Sequence, residues 1–207
     1  MLLALTAAVI LAVVVKSCIQ TQRDPSYEQR IAGIPVTQKI LPEGYAGRPG
    51  IKRTVRQIVI HETANTSRGA NAKSHAKYLL EYGKDTEISW HYTVDDHEIY
   101  QHLPENEVGW HAGDKLNEGG GNQAGIGVEI CINEDGDYEK ALTNAEKLTA
   151  HLLFKYGMTI DHVKQHADFM QKNCPTLLRD SGRWEEFLQK TAEYLQEEQN
   201  ASPETQK

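Results

Sequence analysis

Two histidines and one cysteine have the types and placement that a zinc ion needs. His61 closes the apolar run Gln57-Ile58-Val59-Ile60-His61, and His166 and Cys174 flank Ala167-Asp168-Phe169-Met170-Gln171-Lys172-Asn173. Zinc takes imidazole nitrogen and thiolate sulfur, and catalytic sites supply three protein ligands and leave one position open. Ligands on one helix face lie three or four residues apart. His166 and Cys174 therefore call for an irregular loop that folds back, with Pro175 stiffening its exit. Spacing alone leaves other readings open: a histidine satisfied in the core or on the surface, a buried apolar thiol, or a disulfide between Cys174 and Cys131. A fourth residue draws attention for the opposite reason. Glu129 lies inside the apolar stretch 126–132, where a carboxylate is costly unless it has work to do or faces solvent from an edge strand.

The elements that must position these groups can be read from periodicity. Residues 57–61 have the β-branched character of a buried strand. Residues 70–82 place Ala72, Ala76, Leu79 and Leu80 on one helix face, and Gly83 stops the helix. Residues 87–94 read as a strand, followed by an Asp95-Asp96 turn into residues 98–102, a hairpin. Residues 126–132 form another strand. The clearest helix is 138–156, with Leu142, Ala145, Thr149, Leu152 and Tyr156 in one stripe and Gly157 as its C-cap. A last amphipathic helix spans about 184–196. Strands and helices alternate, so the fold class is α/β.

The 207 residues carry a net charge of −7, with no cluster of basic residues interleaved with aromatics. Nucleic acid is thereby excluded as a partner, and long-range attraction to any anionic polymer is not expected. Three cysteines, Cys18, Cys131 and Cys174, are too few and too odd in number for a disulfide framework. All nine histidines fall between His61 and His166, which again points to metal chemistry.

Residues 2–15 are apolar apart from Thr6 and end at Lys16-Ser17-Cys18. As a helix they span about 21 Å, short of the ~20 residues a bilayer core needs. Residues 1–18 are read as a signal or anchor segment. Three forms are open: a signal-anchor whose Lys16 reaches the interface, a lipoprotein signal processed before Cys18, and an ordinary cleaved signal. Each places the main domain outside the cytoplasm, secreted or held at the membrane. Residues 19–38 read as a linker, 39–198 as the single functional domain and 199–207 as a disordered tail.

Ile58-Val59-Ile60-His61-Glu62-Thr63 resembles the first signature of the type 2 N-acetylmuramoyl-L-alanine amidases. That family is similar to the phage T7 lysozyme amidase and the peptidoglycan recognition proteins. His91-Tyr92-Thr93-Val94-Asp95-Asp96, Trp110-His111-Ala112-Gly113-Asp114, Gly125-Ile126-Gly127-Val128-Glu129-Ile130-Cys131, Gln165-His166-Ala167-Asp168 and Lys172-Asn173-Cys174-Pro175 match in the same order. The resemblance covers residues 40–178 and is strongest to the Gram-positive phage and autolysin branch. It implies a central mixed β-sheet flanked by helices in one domain, and Zn2+ held by His61, His166 and Cys174. It also implies hydrolysis of the bond between N-acetylmuramic acid and L-alanine in peptidoglycan.

On that reading Glu129 is the general base and Lys172 stabilises the oxyanion. Some relatives have a tyrosine where Trp90 stands; Trp cannot give up a proton, so the load shifts to Glu129 and Lys172. Trp110, His111 and Asp114 are expected to contact substrate from a groove wall, and His91 to support the site from behind or to face substrate. Asp168 is expected to orient His166 or its loop. The protein is expected to be a monomeric enzyme of wall remodelling or lysis. A non-catalytic peptidoglycan-binding module is the alternative, and Cys174, Glu129 and Lys172 argue against it.

Overall fold

Seven strands and five α-helices alternate along residues 29–201, which are the residues the computed structural model describes. The strands are β1 (Arg30–Ile31), β2 (Ile34–Gln38), β3 (Gln57–Glu62), β4 (Tyr92–Val94), β5 (Ile99–Gln101), β6 (Gly125–Ile130) and β7 (Val163–Gln165). The helices are α1 (Ala72–Tyr82), α2 (Gly121–Ala124), α3 (Tyr138–Tyr156), α4 (Thr176–Asp180) and α5 (Trp184–Ala201). All strands join one mixed sheet in the order β1-β2-β5-β4-β6-β3-β7. β4, β6, β3 and β7 run parallel to one another, and β5 is antiparallel to β4. This is the single α/β domain with a mixed sheet that the sequence led us to expect.

Side chains alternate across a strand, and that alternation divides the sheet into two unlike faces. Ile58, Ile60, Tyr92, Val94, Ile126, Val128 and Ile130 face α3 and α5, where Leu148, Leu152 and Phe187 complete the main core. The alternate positions, His61, Thr93 and Glu129, emerge on the other face. There α1 lays Ala72 and Ala76 against Tyr100 and Cys131. The long helix α3 runs over the expected 138–156. Asp137 caps it by accepting from the Lys140 N–H (3.1 Å). Gly157 closes it at φ 61°, a left-handed conformation that glycine adopts without strain.

The structure differs from the sequence reading at several places; β6 runs 125–130 where 126–132 was expected, and β7 and α4 were not expected. The described part of the 19–38 linker joins the sheet: Ile31, Ile34 and Val36 are buried, and β2 pairs in parallel with β5. Pro35 and the shortness of both runs hide this strand pair in the sequence, since proline normally marks an edge or a break. Of residues 87–94 only the last three form a strand; Ser89 instead bonds the carbonyl of Trp110 (3.2 Å). The last helix reaches Ala201, taking in the start of the 199–207 tail. The 1–18 signal or anchor segment lies outside the described residues. Among those described, no helix is long and apolar enough to cross a membrane.

Glu146 of α3 is 5% exposed. Burial, then Glu186 of α5, pushes its carboxyl up to about 7, against Lys190 and Arg183. A glutamate in an unfolded chain titrates near ~4.3. The folded state therefore binds this proton more tightly. The stability that comes with it is fully present below the unfolded value and is lost as pH rises through about 7. Glu146→Gln is expected to stabilise the domain relative to the parent at pH 8 and to do so much less at pH 5, measured by urea unfolding. A difference independent of pH would refute this.

Candidate active site

Parallel pairing assembles the site. β3 lies between β6 and β7, with His61 opposite Glu129 and Ile60 opposite Gln165. His61, Glu129 and, one residue past β7, His166 thus emerge at the carboxyl ends of three adjacent strands. Open α/β sheets place ligand sites at such ends. Cys174 arrives on the loop that precedes α4, and its carbonyl accepts the N–H of Ala167 (3.0 Å). That bond ties the His166 turn to the cysteine loop.

The three side chains meet. One donor atom from each of His61, His166 and Cys174 lies within 4.8 Å of the other two. The two histidine Nδ1 atoms are 3.0 Å apart, and Cys174 Sγ is 3.9 Å from His61 Nδ1. Zinc bonds of ~2.0 Å to nitrogen and ~2.3 Å to sulfur in a tetrahedron require separations of roughly 3.3 and 3.6 Å; these two lie close to that, and the donor types suit the ion. Oε2 of Glu129 is buried without a hydrogen-bond partner, as expected of a group that serves a ligand. Cys131 and Cys174 are both free thiols, which sets aside the disulfide.

The ligand candidates are electrically neutral. Burial, followed by His111, His166 and Lys172, holds His61 well below the usual imidazole range. Burial and Lys172 bring His166 down to about 4. Burial pushes the Cys174 thiol up to about 11; a cation among these donors would reverse that, because the thiolate is the ligating form. Glu129 Oε1 lies 3.9 Å from His61 Nδ1. Burial lifts its carboxyl to about 8, opposed by Lys172 and aided by Glu62. Glu129 and the exposed Lys172 line an open cleft of about 310 Å³ together with Glu62, Thr63, Tyr78 and Trp90. The indole N–H of Trp90 is used up on Thr93 Oγ1 (2.6 Å).

The residues expected on the groove wall fall elsewhere. Asp114 is buried, and its carboxylate caps α2 by accepting from the N–H groups of Gly121 (2.5 Å) and Asn122 (3.1 Å). His91 is fully buried; its Nδ1 accepts from Gly127 N–H (3.1 Å) and its Nε2–H donates to the Glu107 carbonyl (2.9 Å). His111 is buried behind His61. His91 has no surface to offer a substrate, and His111 and Asp114 keep only 8% of theirs, their polar atoms being engaged within the fold. Trp110 is half-buried, donates to the Ala46 carbonyl (3.1 Å), and lines a separate shallow depression with Gly113 and Leu116. Asp168 accepts from Gln165 N–H (2.8 Å), shaping the turn that carries His166.

Two more charged residues stand beside the site, Glu62 buried and Arg53 half-buried. Glu62 accepts from Tyr138 Oη–H (2.6 Å) and from the N–H groups of Leu177 (2.6 Å) and Leu178 (3.3 Å). It thereby clamps α4, just past Cys174, to the strand that bears His61. The signal for it was the one that singled out Glu129: an acid in a buried apolar strand. Arg53 donates to the carbonyls of Glu107, Ala124 and Gly125. Its Nη2 also lies 3.0 Å from His91 Nε2; the other partners are main chain, and no residue type betrays those.

A mixed α/β sheet that brings two imidazoles and a carboxylate to the carboxyl ends of three parallel strands, with a thiol delivered by a loop and the carboxylate lining a cleft, defines a hydrolase-type domain with a donor set able to hold a metal. The chain belongs to the N-acetylmuramoyl-L-alanine amidase family Amidase_2, whose pattern it matches over residues 51–177. It is 47% identical over 154 residues to N-acetylmuramoyl-L-alanine amidase XlyA of Bacillus subtilis (strain 168), covering 74% of this chain and 50% of that protein. It is 44% identical over 155 residues to amidase CwlH of the same organism, covering 75% of this chain and 60% of that protein. The solved catalytic domain of XlyA superposes with a TM-score of 0.72 at 45% identity, covering 76% of this chain and 99% of that domain. The chain thus spans half to three-fifths of the length of these two full-length relatives.

Glu62→Ala is expected to cost at least about 1–3 kcal/mol in urea unfolding, since it strands buried donors. Glu62→Gln, which keeps one acceptor oxygen, is expected to cost less. Equal stability of all three proteins would show that the clamp carries no load.

Proposed function

We propose that this domain hydrolyses the amide bond between N-acetylmuramic acid and L-alanine of peptidoglycan, with zinc held by His61, His166 and Cys174. The observation that carries the reading is the convergence of these three donors, within 4.8 Å of one another, beside Glu129. Family membership and the amidase names of its relatives support the choice of bond. Zinc at such a site supplies Lewis acidity towards the carbonyl and lowers the pKa of water to ~7.

The protein's own groups do the rest. Glu129 removes the proton from the attacking water and hands it to the departing alanine nitrogen, leaving a lactyl carboxylate and a free amine. Its place on the cleft wall, 3.9 Å from His61 Nδ1, sets it beside the donors where that water would sit. Lys172, on the cleft wall, faces the negative charge that develops on the carbonyl oxygen. Trp90, its N–H bound to Thr93, serves as an apolar wall. Peptidoglycan lies outside the cytoplasmic membrane, so the domain acts there; the apolar stretch 2–15 is consistent with export or anchoring.

The test is mass spectrometry of purified peptidoglycan after digestion, with and without a chelator. Stem peptides beginning with L-alanine are expected, and chelation is expected to abolish them. Intact substrate, or cleavage between sugars, would overturn the reading. Lys172→Met is expected to lower kcat about 100- to 1000-fold while zinc stoichiometry, measured by elemental analysis, stays at the parent's value. Full activity in that variant would remove Lys172 from the mechanism.

A further inference from the structure

We infer that His111 is a positioning residue that fixes the tautomer of His61 and so presents the His61 Nδ1 lone pair to the metal. The inference rests on the zinc reading above and extends it to a residue that touches neither metal nor substrate. Its basis is a one-way chain of hydrogen bonds. His111 Nε2 lies 3.2 Å from the Gly125 carbonyl, which can only accept. His111 therefore carries its proton on Nε2, and as a neutral ring it leaves Nδ1 bare. That Nδ1 lies 3.1 Å from His61 Nε2, so His61 is the donor there and carries its own proton on Nε2. The remaining His61 nitrogen, Nδ1, is then a free lone pair, and it is the atom that faces His166 Nδ1 (3.0 Å) and Cys174 Sγ (3.9 Å). The opposite assignment would set the bare Nε2 of His111 against the lone pairs of Gly125.

The surroundings hold His111 in place for this task. Its backbone N–H donates to Asn122 Oδ1 (2.8 Å). Its ring stands edge-on to His91, with centroids 5.8 Å apart. It also packs on Gly127 of β6, where an added Cβ would come within 2.7 Å of His111 Cγ. The strand face beneath the ring is therefore glycine out of necessity. A ligating histidine whose second nitrogen is held by a fixed partner is both oriented and more basic, and losing such a partner typically costs 10- to 100-fold in metal affinity.

Two variants separate this role from packing. The oxygen of His111→Asn falls where Nδ1 was and keeps the acceptor for His61. His111→Gln reaches Gly125 with its amide but leaves His61 Nε2–H without an acceptor. Zinc affinity, measured by competition with a chromogenic chelator, is expected to fall about 10- to 100-fold for His111→Gln and to stay near the parent's for His111→Asn. In the zinc-loaded parent, long-range proton–nitrogen NMR is expected to show His61 protonated at Nε2 and metal-bound at Nδ1. Unchanged affinity in a folded His111→Gln protein, or His61 bound through Nε2, would overturn the inference. If the glutamine variant does not fold, the NMR assignment on the parent decides alone. If the parent binds no zinc, the metal reading falls and this one with it.

Discussion

Strand β3 is paired in parallel on both edges, and the site depends on the register of those two ladders. With His61 opposite Glu129 and Ile60 opposite Gln165, two imidazoles and a carboxylate leave the sheet side by side. A slip of one residue would turn every side chain of a strand to its other face. His61 would then be driven into the apolar layer under α3, and Ile60 would point into the cleft. The core enforces the register, because Ile58, Ile60, Ile126, Val128 and Ile130 are buried on one face only. The chemistry of one face is thus held in place by the hydrophobic burial of the other.

Around that frame, polar groups are arranged so that each potential ligand is oriented from behind. His61 bonds His111, which bonds Gly125. Glu62 gathers the N-terminus of α4 and so sets the approach of the Cys174 loop. Asp168 shapes the His166 turn. Arg53 binds the start of β6 to the loop that accepts from His91. Buried polar groups of this kind are costly unless their partners are present, so the fold around the site has few alternative arrangements. Rigidity here comes from hydrogen-bond completeness as much as from packing.

Burial also sets the charge state. Desolvation favours neutral imidazoles and a neutral thiol and raises the Glu129 carboxyl, which Lys172 opposes. Lys172, exposed on the cleft wall, provides positive charge that a substrate can meet without displacing any of the buried groups.

The residue types that carry chemistry were legible in the sequence, and so was the class of fold. His61 and Glu129 stood out because polar groups ending or interrupting apolar β-branched runs demand a reason, and the helix at 138–156 followed from its stripe and its caps. The β1–β2 pair was not legible, because two short runs around a proline gain their strand form from β5, which is distant in the chain. Nor was the place of His91, His111 and Asp114: a motif gives order along the chain, whereas a hydrogen-bond partner is chosen in three dimensions. His111 took its meaning from a carbonyl on β6 and Glu62 from two amides in α4. Local spacing determined what each residue can do; only the packed sheet decided which atom each one faces, because tautomer, burial and partner are properties of the neighbours rather than of the residue.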